Sequence, residues 1–450
     1  MELTRVMPID IYVIPEEESG NPDANRIFED NPVQAEKVEM LMKAEKRFHE
    51  FKEIIYNQQT QKIPYYVFLY GIGGVLIGVV TNLITTLIPV RDAIENPSYL
   101  YDFLPSRLFG LIIATANFLL LFRYWTNTRC IYTIKHYWLS LLLYFVIMTF
   151  IWVVIQNVIW KRILGYQLPI PFQQATLGVT GVTINSMAIW CLVPIEWRRI
   201  EDFRKRYKFF VANTVVQNLM YYEYLTMGLL FDEVSNEYQW AVSITLPFLR
   251  EINILVQEKI AYKSADDEDA SVSIAVTHGV NTRHCVFLSV MIGTKTTNLS
   301  SWIILLADFV YNLYLALKLV WIKKMRPKNE RNDSEMFHLL FSLTINELVE
   351  VVVPLTFLIC FLTAFYGPNA ELIGGVKSTH FHYEPVLDIH GFIQNMTLFL
   401  TVDFCSVVFV ALILWNFCKI SLVHAYATML KEFWPIITVS TAFIVFTVIT

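Results

Sequence analysis

Apolar residues fall along this chain in blocks of membrane length, at about 64–90, 103–125, 137–160, 172–195, 300–321, 338–366, 392–418 and 433–450. Each block approaches or exceeds the ~20 residues that a helix needs to cross a hydrocarbon core about 30 Å thick. A further block at 208–231 has the length but carries Asn213, Gln217, Asn218 and Glu223. Two segments are ambiguous: 239–262 holds Pro247, Arg250 and Glu251, and 273–294 holds His278, Arg283 and His284. They read either as full spans facing the interior of a bundle or as a pair of helices that only partly enter a bilayer.

Ahead of these blocks, residues 1–30 are acidic and aperiodic and read as a flexible tail. Asn31 and Pro32 supply a helix start, a cap followed by proline in the first turn. Val38, Leu41, Met42, Phe48, Phe51 and Ile55 then recur at helical spacing, which predicts an amphipathic helix. The expected division is a cytosolic segment 1–62 and a transmembrane domain 63–450. The expected fold is all-α, a polytopic transmembrane helix bundle of nine to eleven spans with an N-terminal cytosolic amphipathic helix.

Composition agrees. Of 450 residues, 55% are hydrophobic and only 17% charged, with a mean hydropathy of +0.45; soluble domains carry about 25% charged residues. The first residues lack a basic stretch followed by an apolar one, so insertion is expected to use internal segments. Basic residues crowd 43–62, 123–135, the loop Arg198–Lys208 and the loop at 323–331. Placed in the cytosol by the positive-inside rule, they put the N-terminus inside. The chain must then cross an even number of times between the last two loops, so the ambiguous segments both span or both fail to span. Either count leaves the C-terminus extracellular or lumenal, and a plasma-membrane location is expected.

The costliest residues sit near the middle of the block 338–366, where Glu347, Glu350 and Pro354 occur together. A charge at the bilayer centre costs at least ~2.5–3.5 kcal/mol on insertion scales. Glu347 and Glu350 are three apart and share a helix face. Pro354 crowds and frees the carbonyl of Glu350, which predicts a hinge and a cluster of oxygens suited to a cation or a proton. Glu223, Glu251, Asp308 and Asp403 lie at comparable depth, with Asn312 one turn after Asp308. The opposing cations are Arg250 and Arg283, with His278 and His284 as titratable partners. Pairing of Arg250 with Asp308 and Arg283 with Asp403 is the plain expectation, but six acids face two arginines. The surplus implies protonated acids, bound cations or a water-filled path.

Other features carry less. Gly74 and Gly78, and Gly178, Gly181, Asn185 and Ala188, read as close helix packing. The six cysteines lack CxxC spacing, the acidic run Asp266–Asp269 lacks a calcium-loop pattern, and His380 with His382 in a loop is weak support for a metal. Asn298 and Asn395 lie in glycosylation sequons on the expected outer side. No cofactor or metal is expected. Nucleotide-binding, hydrolase and metalloprotease motifs are missing, so an enzyme is the weaker reading. Basic residues fall at segment ends, so nucleic acid is not an expected partner. The expected partners are the lipid bilayer and a small solute or cation, with a homo-oligomer allowed.

The leading functional expectation is a transporter or channel in which Glu347 and Glu350 bind the cation or proton. Asp308, Asn312, Asp403 and Glu223 would line or gate the route. The alternatives are a ligand-sensing receptor or ligand-gated channel, and a structural or trafficking membrane protein.

Overall fold

A computed structural model describes residues 195–430 apart from 236, 265–269, 295–297, 326–329, 367–388 and 428, with isolated positions between 80 and 193 and at Ile437. The amphipathic helix, nearly all of the first four apolar blocks, Gly74 and Gly78, the His380–His382 loop and almost all of 433–450 lie outside the described residues.

Among the described residues the elements are helices, with no strands. We number them α1 (Ile195–Arg199), α2 (Glu201–Glu233), α3 (Gln239–Ser264), α4 (Ala270–Thr294), α5 (Asn298–Met325), α6 (Glu330–Tyr366) and α7 (Ile389–Ile413). Three stretches are long and apolar enough to cross a membrane: Ser300–Lys324 in α5, Glu335–Thr363 in α6, and Ile389–Cys418, which is α7 with one added π turn. That turn, Leu414–Cys418, ends at Lys419 in the left-handed conformation with φ 56°, and the Lys323 ammonium donates to the Cys418 carbonyl at 2.5 Å.

Helix bounds depart from the sequence pattern at the charged ends. The Arg198–Lys208 stretch, read as a loop, is helical on both sides of Ile200. Glu201 and Asp202 occupy the first turn of α2, where acids favour the positive end of the helix dipole, and Asp202 pairs with Arg206 at 3.1 Å. The stretch around 323–331 is likewise helical up to Met325 and again from Glu330. Pro354 lies inside α6 and Pro247 inside α3, and both helices continue through them.

The two ambiguous segments form uninterrupted helices of 26 and 25 residues, about 38 Å long at 1.5 Å per residue. Helix α3 packs against α2, α4 and α5, and α4 against α2, α3, α6 and α7. Contacts made by α4 settle its position: from Ala275 to Gly293 only Phe287 and Val290 are not fully buried. Near the Lys323 end of the bundle, Leu315, Leu319 and Ile322 of α5 pack with Met336 and Leu340 of α6, Val410 and Leu414 of α7, and Val276 of α4. Near the opposite end, Ile304 and Leu305 of α5 pack with Phe357 of α6, Phe392, Met396 and Phe399 of α7, Ile292 of α4 and Leu246 of α3. Along α5 and α7, apolar side chains precede and follow the polar ones.

The outward face of α5 is apolar throughout. Trp302, Leu306, Val310, Tyr314, Leu317 and Trp321 recur every three or four residues and are all about half exposed or more. They form one stripe on the side away from α4 and α6.

Candidate functional site: a buried polar layer

Between the two apolar clusters lies a layer of charged side chains, one or more from each of α3 to α7. Arg250 of α3 is 1% exposed, and one of its nitrogens, Nη1, lies 3.1 Å from Asp308 Oδ1 on α5 and 3.4 Å from Glu350 Oε1 on α6. Its guanidinium also stacks 4.5 Å over the ring of Tyr311. Asn312, one turn along α5, donates to the second Glu350 oxygen at 2.5 Å. His284 of α4 stands 3.9 Å from Asp308 and is held on its other ring nitrogen by the Tyr224 hydroxyl, 3.2 Å away.

Glu347 faces a different neighbour. It is fully buried (0% exposed) and accepts a hydrogen bond from Ser406 of α7 at 3.2 Å. Ser406 is three residues beyond Asp403, hence on the same face of α7. Asp403 is 3% exposed and lies within electrostatic reach of Glu347, Glu350 and Asp308. Four carboxylates from three helices therefore share the layer with one guanidinium.

Many polar atoms here have no hydrogen-bond partner. They are Glu347 Oε2, Asp403 Oδ2, Asp308 Oδ2, Asn312 Oδ1, His284 Nε2, and Nε and Nη2 of Arg250, while Asp308 Oδ1 has only its ion pair with Arg250. Buried polar groups are paired in the great majority of folded proteins, and an orphan costs about 1–3 kcal/mol or more when charged. A concentration of orphans in one layer is the mark of a place that takes up water or a ligand.

The expected partners divide. Arg250 meets Asp308, one of the pairings the sequence suggests. Arg283 does not meet Asp403: its donors reach the Gly279 carbonyl at 2.9 Å and Gln217 Oε1 at 3.3 Å, and its guanidinium lies 5.3 Å from the Tyr221 ring centre. Gly279 makes this possible, since a Cβ there would come within 3.2 Å of both Arg283 and Gln217. His278 contacts the Ile437 carbonyl at 3.2 Å and Thr282. Glu223 is half-buried and accepts from Asn253 at 2.9 Å, apart from the four-carboxylate layer. Asn395, read as a sequon, donates its side-chain amide to the Ile292 carbonyl on α4 at 3.2 Å. Ser406, Tyr224 and the hydrogen-bonded pair Asn281–Asn346 join the polar layer without having been singled out in the sequence. The spacing of Ser406 from Asp403 and the adjacency of Asn346 to Glu347 were the available signals.

No family model matches the chain, and neither a curated protein nor a solved structure matches it. Among the described residues, no group of three or more His, Cys, Asp or Glu side chains converges as a metal site would require.

Proposed function

We propose that this chain is a multi-pass integral membrane protein that moves a small cation or a solute coupled to one, with the polar layer as its binding site. The carrying observation is the charge count of that layer, four carboxylates against one guanidinium, with orphaned carboxylate oxygens on Glu347 and Asp403. An acid surplus in a low-dielectric interior persists only when something positive, or water, compensates it.

Membrane insertion is supported by the α5 stripe. Trp302 and Trp321 end it, 52% and 51% exposed, and nineteen residues at 1.5 Å separate them by about 28 Å. That is close to the hydrocarbon thickness of about 30 Å, and tryptophans favour its two boundaries. Asn312 falls at the middle of this interval, which supports a binding layer near the bilayer midplane. Lys323 and Lys324 follow Trp321, with Lys324 4.7 Å over the Phe417 ring, consistent with a cytosolic edge there. If α5 spans, α3 and α4 span with it, because both run through the same two apolar clusters; the eleven-helix count follows from charge parity.

Apolar side chains of both clusters flank the layer, which favours a carrier over an open pore. A receptor or ligand-gated channel is the second reading, favoured by Arg250 bridging α5 and α6 as a latch would. Protein reconstituted in liposomes should show a flux driven by a cation or pH gradient that fails in Glu350→Gln. Unchanged flux in the double substitution Glu347→Gln/Glu350→Gln would refute transport through this layer. Ligand-evoked current without steady flux would favour the receptor.

A further inference from the structure

Among the described residues two arginines are buried, and they are compensated differently. Arg250 has carboxylates from two helices within ion-pair distance. Arg283 of α4 has none among the described residues, although it is only 6% exposed. A guanidinium does not give up its proton in a protein, so burial cannot relieve the imbalance by neutralising it. Its charge must be met by neighbours, by solvent or by a ligand.

The neighbours are neutral. Nη1 donates to the Gly279 carbonyl at 2.9 Å, Nη2 donates to Gln217 Oε1 at 3.3 Å, and the guanidinium carbon lies 5.3 Å from the Tyr221 ring centre. Gln217 passes the demand on: its amide donates to Gln257 of α3, and Gln257 donates to the Met220 thioether of α2. This chain of donors ends on sulfur, a weak acceptor, and no carboxylate enters it. Glu223, the acid of α2 nearest Gln217 in sequence, accepts from Asn253 instead. The remaining position has a definite shape. Nε of Arg283 is buried without a partner, and with Nη2 it forms one edge of the guanidinium, where two N–H groups point the same way. Two parallel donors match the two oxygens of a carboxylate, the bidentate geometry that arginine favours.

We propose that Arg283 is an anion-binding residue whose Nε–Nη2 edge takes the carboxylate of a monocarboxylate solute. One negative charge balances one guanidinium, whereas a phosphate dianion would overshoot it, and a halide offers one atom where the edge presents two donors. The assignment deepens the transport reading, and rests on it for movement of the solute but not for its binding. Arg283 is followed directly by His284, which faces Asp308 in the polar layer. Along α4 the two positions differ by one residue of rise, about 1.5 Å, and turn to different neighbours. The carboxylate and the cation that accompanies it are then held at one depth, on the α2 side and the α5 side of the same helix.

Thermal unfolding of the full-length protein in lipid nanodiscs tests this without any transport measurement. The sodium salts of acetate, benzoate, chloride and phosphate are compared at one pH and one ionic strength, since a ligand that binds only the folded state raises the midpoint. Acetate and benzoate should raise it saturably above chloride, and the rise should be absent in Arg283→Gln. Gly279→Ala keeps the charge but crowds it, because a Cβ there stands 3.2 Å from both Arg283 Nη1 and Gln217 Nε2; it should need at least about tenfold more acetate. Arg283→Lys keeps the charge without the fork and should no longer distinguish acetate from chloride. These last two variants carry the test if Arg283→Gln fails to fold. No carboxylate-specific rise in the wild type overturns the proposal, as does a rise that survives in Arg283→Gln or in both other variants. An equal rise in chloride, or a larger one in phosphate, overturns the carboxylate assignment. A rise lost in Arg283→Gln, in protein that takes up no radiolabelled acetate or benzoate under any gradient, would leave the site standing and remove the transport reading. Cation-driven flux in protein that no carboxylate stabilises would do the reverse.

Discussion

Arg250 is the side chain on which the polar layer depends most heavily. Arg250→Met keeps an unbranched apolar stem and removes the guanidinium charge, leaving Asp308 and Glu350 as neighbouring buried carboxylates with no cation within contact. Removing one partner of a buried ion pair costs about 3–5 kcal/mol, because the abandoned charge stays buried. The stacking over Tyr311, 4.5 Å from the ring centre, adds roughly 1–2 kcal/mol in a desolvated site. A loss of about 4–7 kcal/mol is a large part of the marginal stability of a folded domain. The triple variant Arg250→Met/Asp308→Asn/Glu350→Gln removes the charges together and should recover most of that loss, since neutral replacement of buried ion pairs is often nearly neutral. Equilibrium unfolding in mixed micelles, followed by tryptophan fluorescence, reads both values. If the triple variant is as unstable as Arg250→Met, the guanidinium acts through packing and the electrostatic account of the layer is wrong. A single-variant loss below about 1 kcal/mol would mean that water already solvates the two acids.

Two further substitutions test other parts of the bundle. Gly293→Ala should destabilise by about 1–3 kcal/mol, because the added Cβ would overlap the Phe392 ring, which is stacked on Phe361 at 4.2 Å and cannot easily retreat; thermal unfolding that shows no loss, or a loss that Phe392→Leu fails to relieve, would contradict this packing. Val310→Lys puts an ammonium on the exposed α5 stripe at the level of Asn312 and should cost about 2.5–3.5 kcal/mol if that face meets lipid, against almost nothing if it meets water; insertion efficiency in microsomes separates the two.

Much of the fold was legible because α5, α6 and α7 combine length with strong apolar character, and their bounds fall within a few residues of the blocks at 300–321, 338–366 and 392–418, apart from the earlier, charged start of α6. Of the two pairings that the acid and arginine content suggests, Arg250 with Asp308 forms and Arg283 with Asp403 does not. Orientation was not legible. Glu347 and Glu350, three residues apart, differ by about 60° around a helix, and α6 packs against both α5 and α7, so that angle is enough to turn one acid to each neighbour. Sequence spacing placed them on one face without saying that two helices meet there. Arg283 escaped for another reason: its neutral cage depends on Gln217 and on the missing side chain of Gly279, neither of which advertises an arginine partner. The charged helix ends at Glu201 and Glu330 were hidden by their polarity, which marks where an apolar block stops but not where the helix does.

Burial of α4 has a consequence for how the chain is made. Helix α4 places Thr277, His278, Asn281, Thr282, Arg283, His284 and Ser289 in the interior, and it leaves the ribosome before α6 and α7, which cover most of it. Alone in lipid it would expose those groups to hydrocarbon, at a cost of several kcal/mol for the arginine and each unsatisfied polar group. If α4 inserts as proposed, biosynthesis must retain it beside the insertion machinery, or in the company of α2 and α3, until its later neighbours arrive. A nascent chain stopped just after Thr294 is the form of this protein most exposed to quality control.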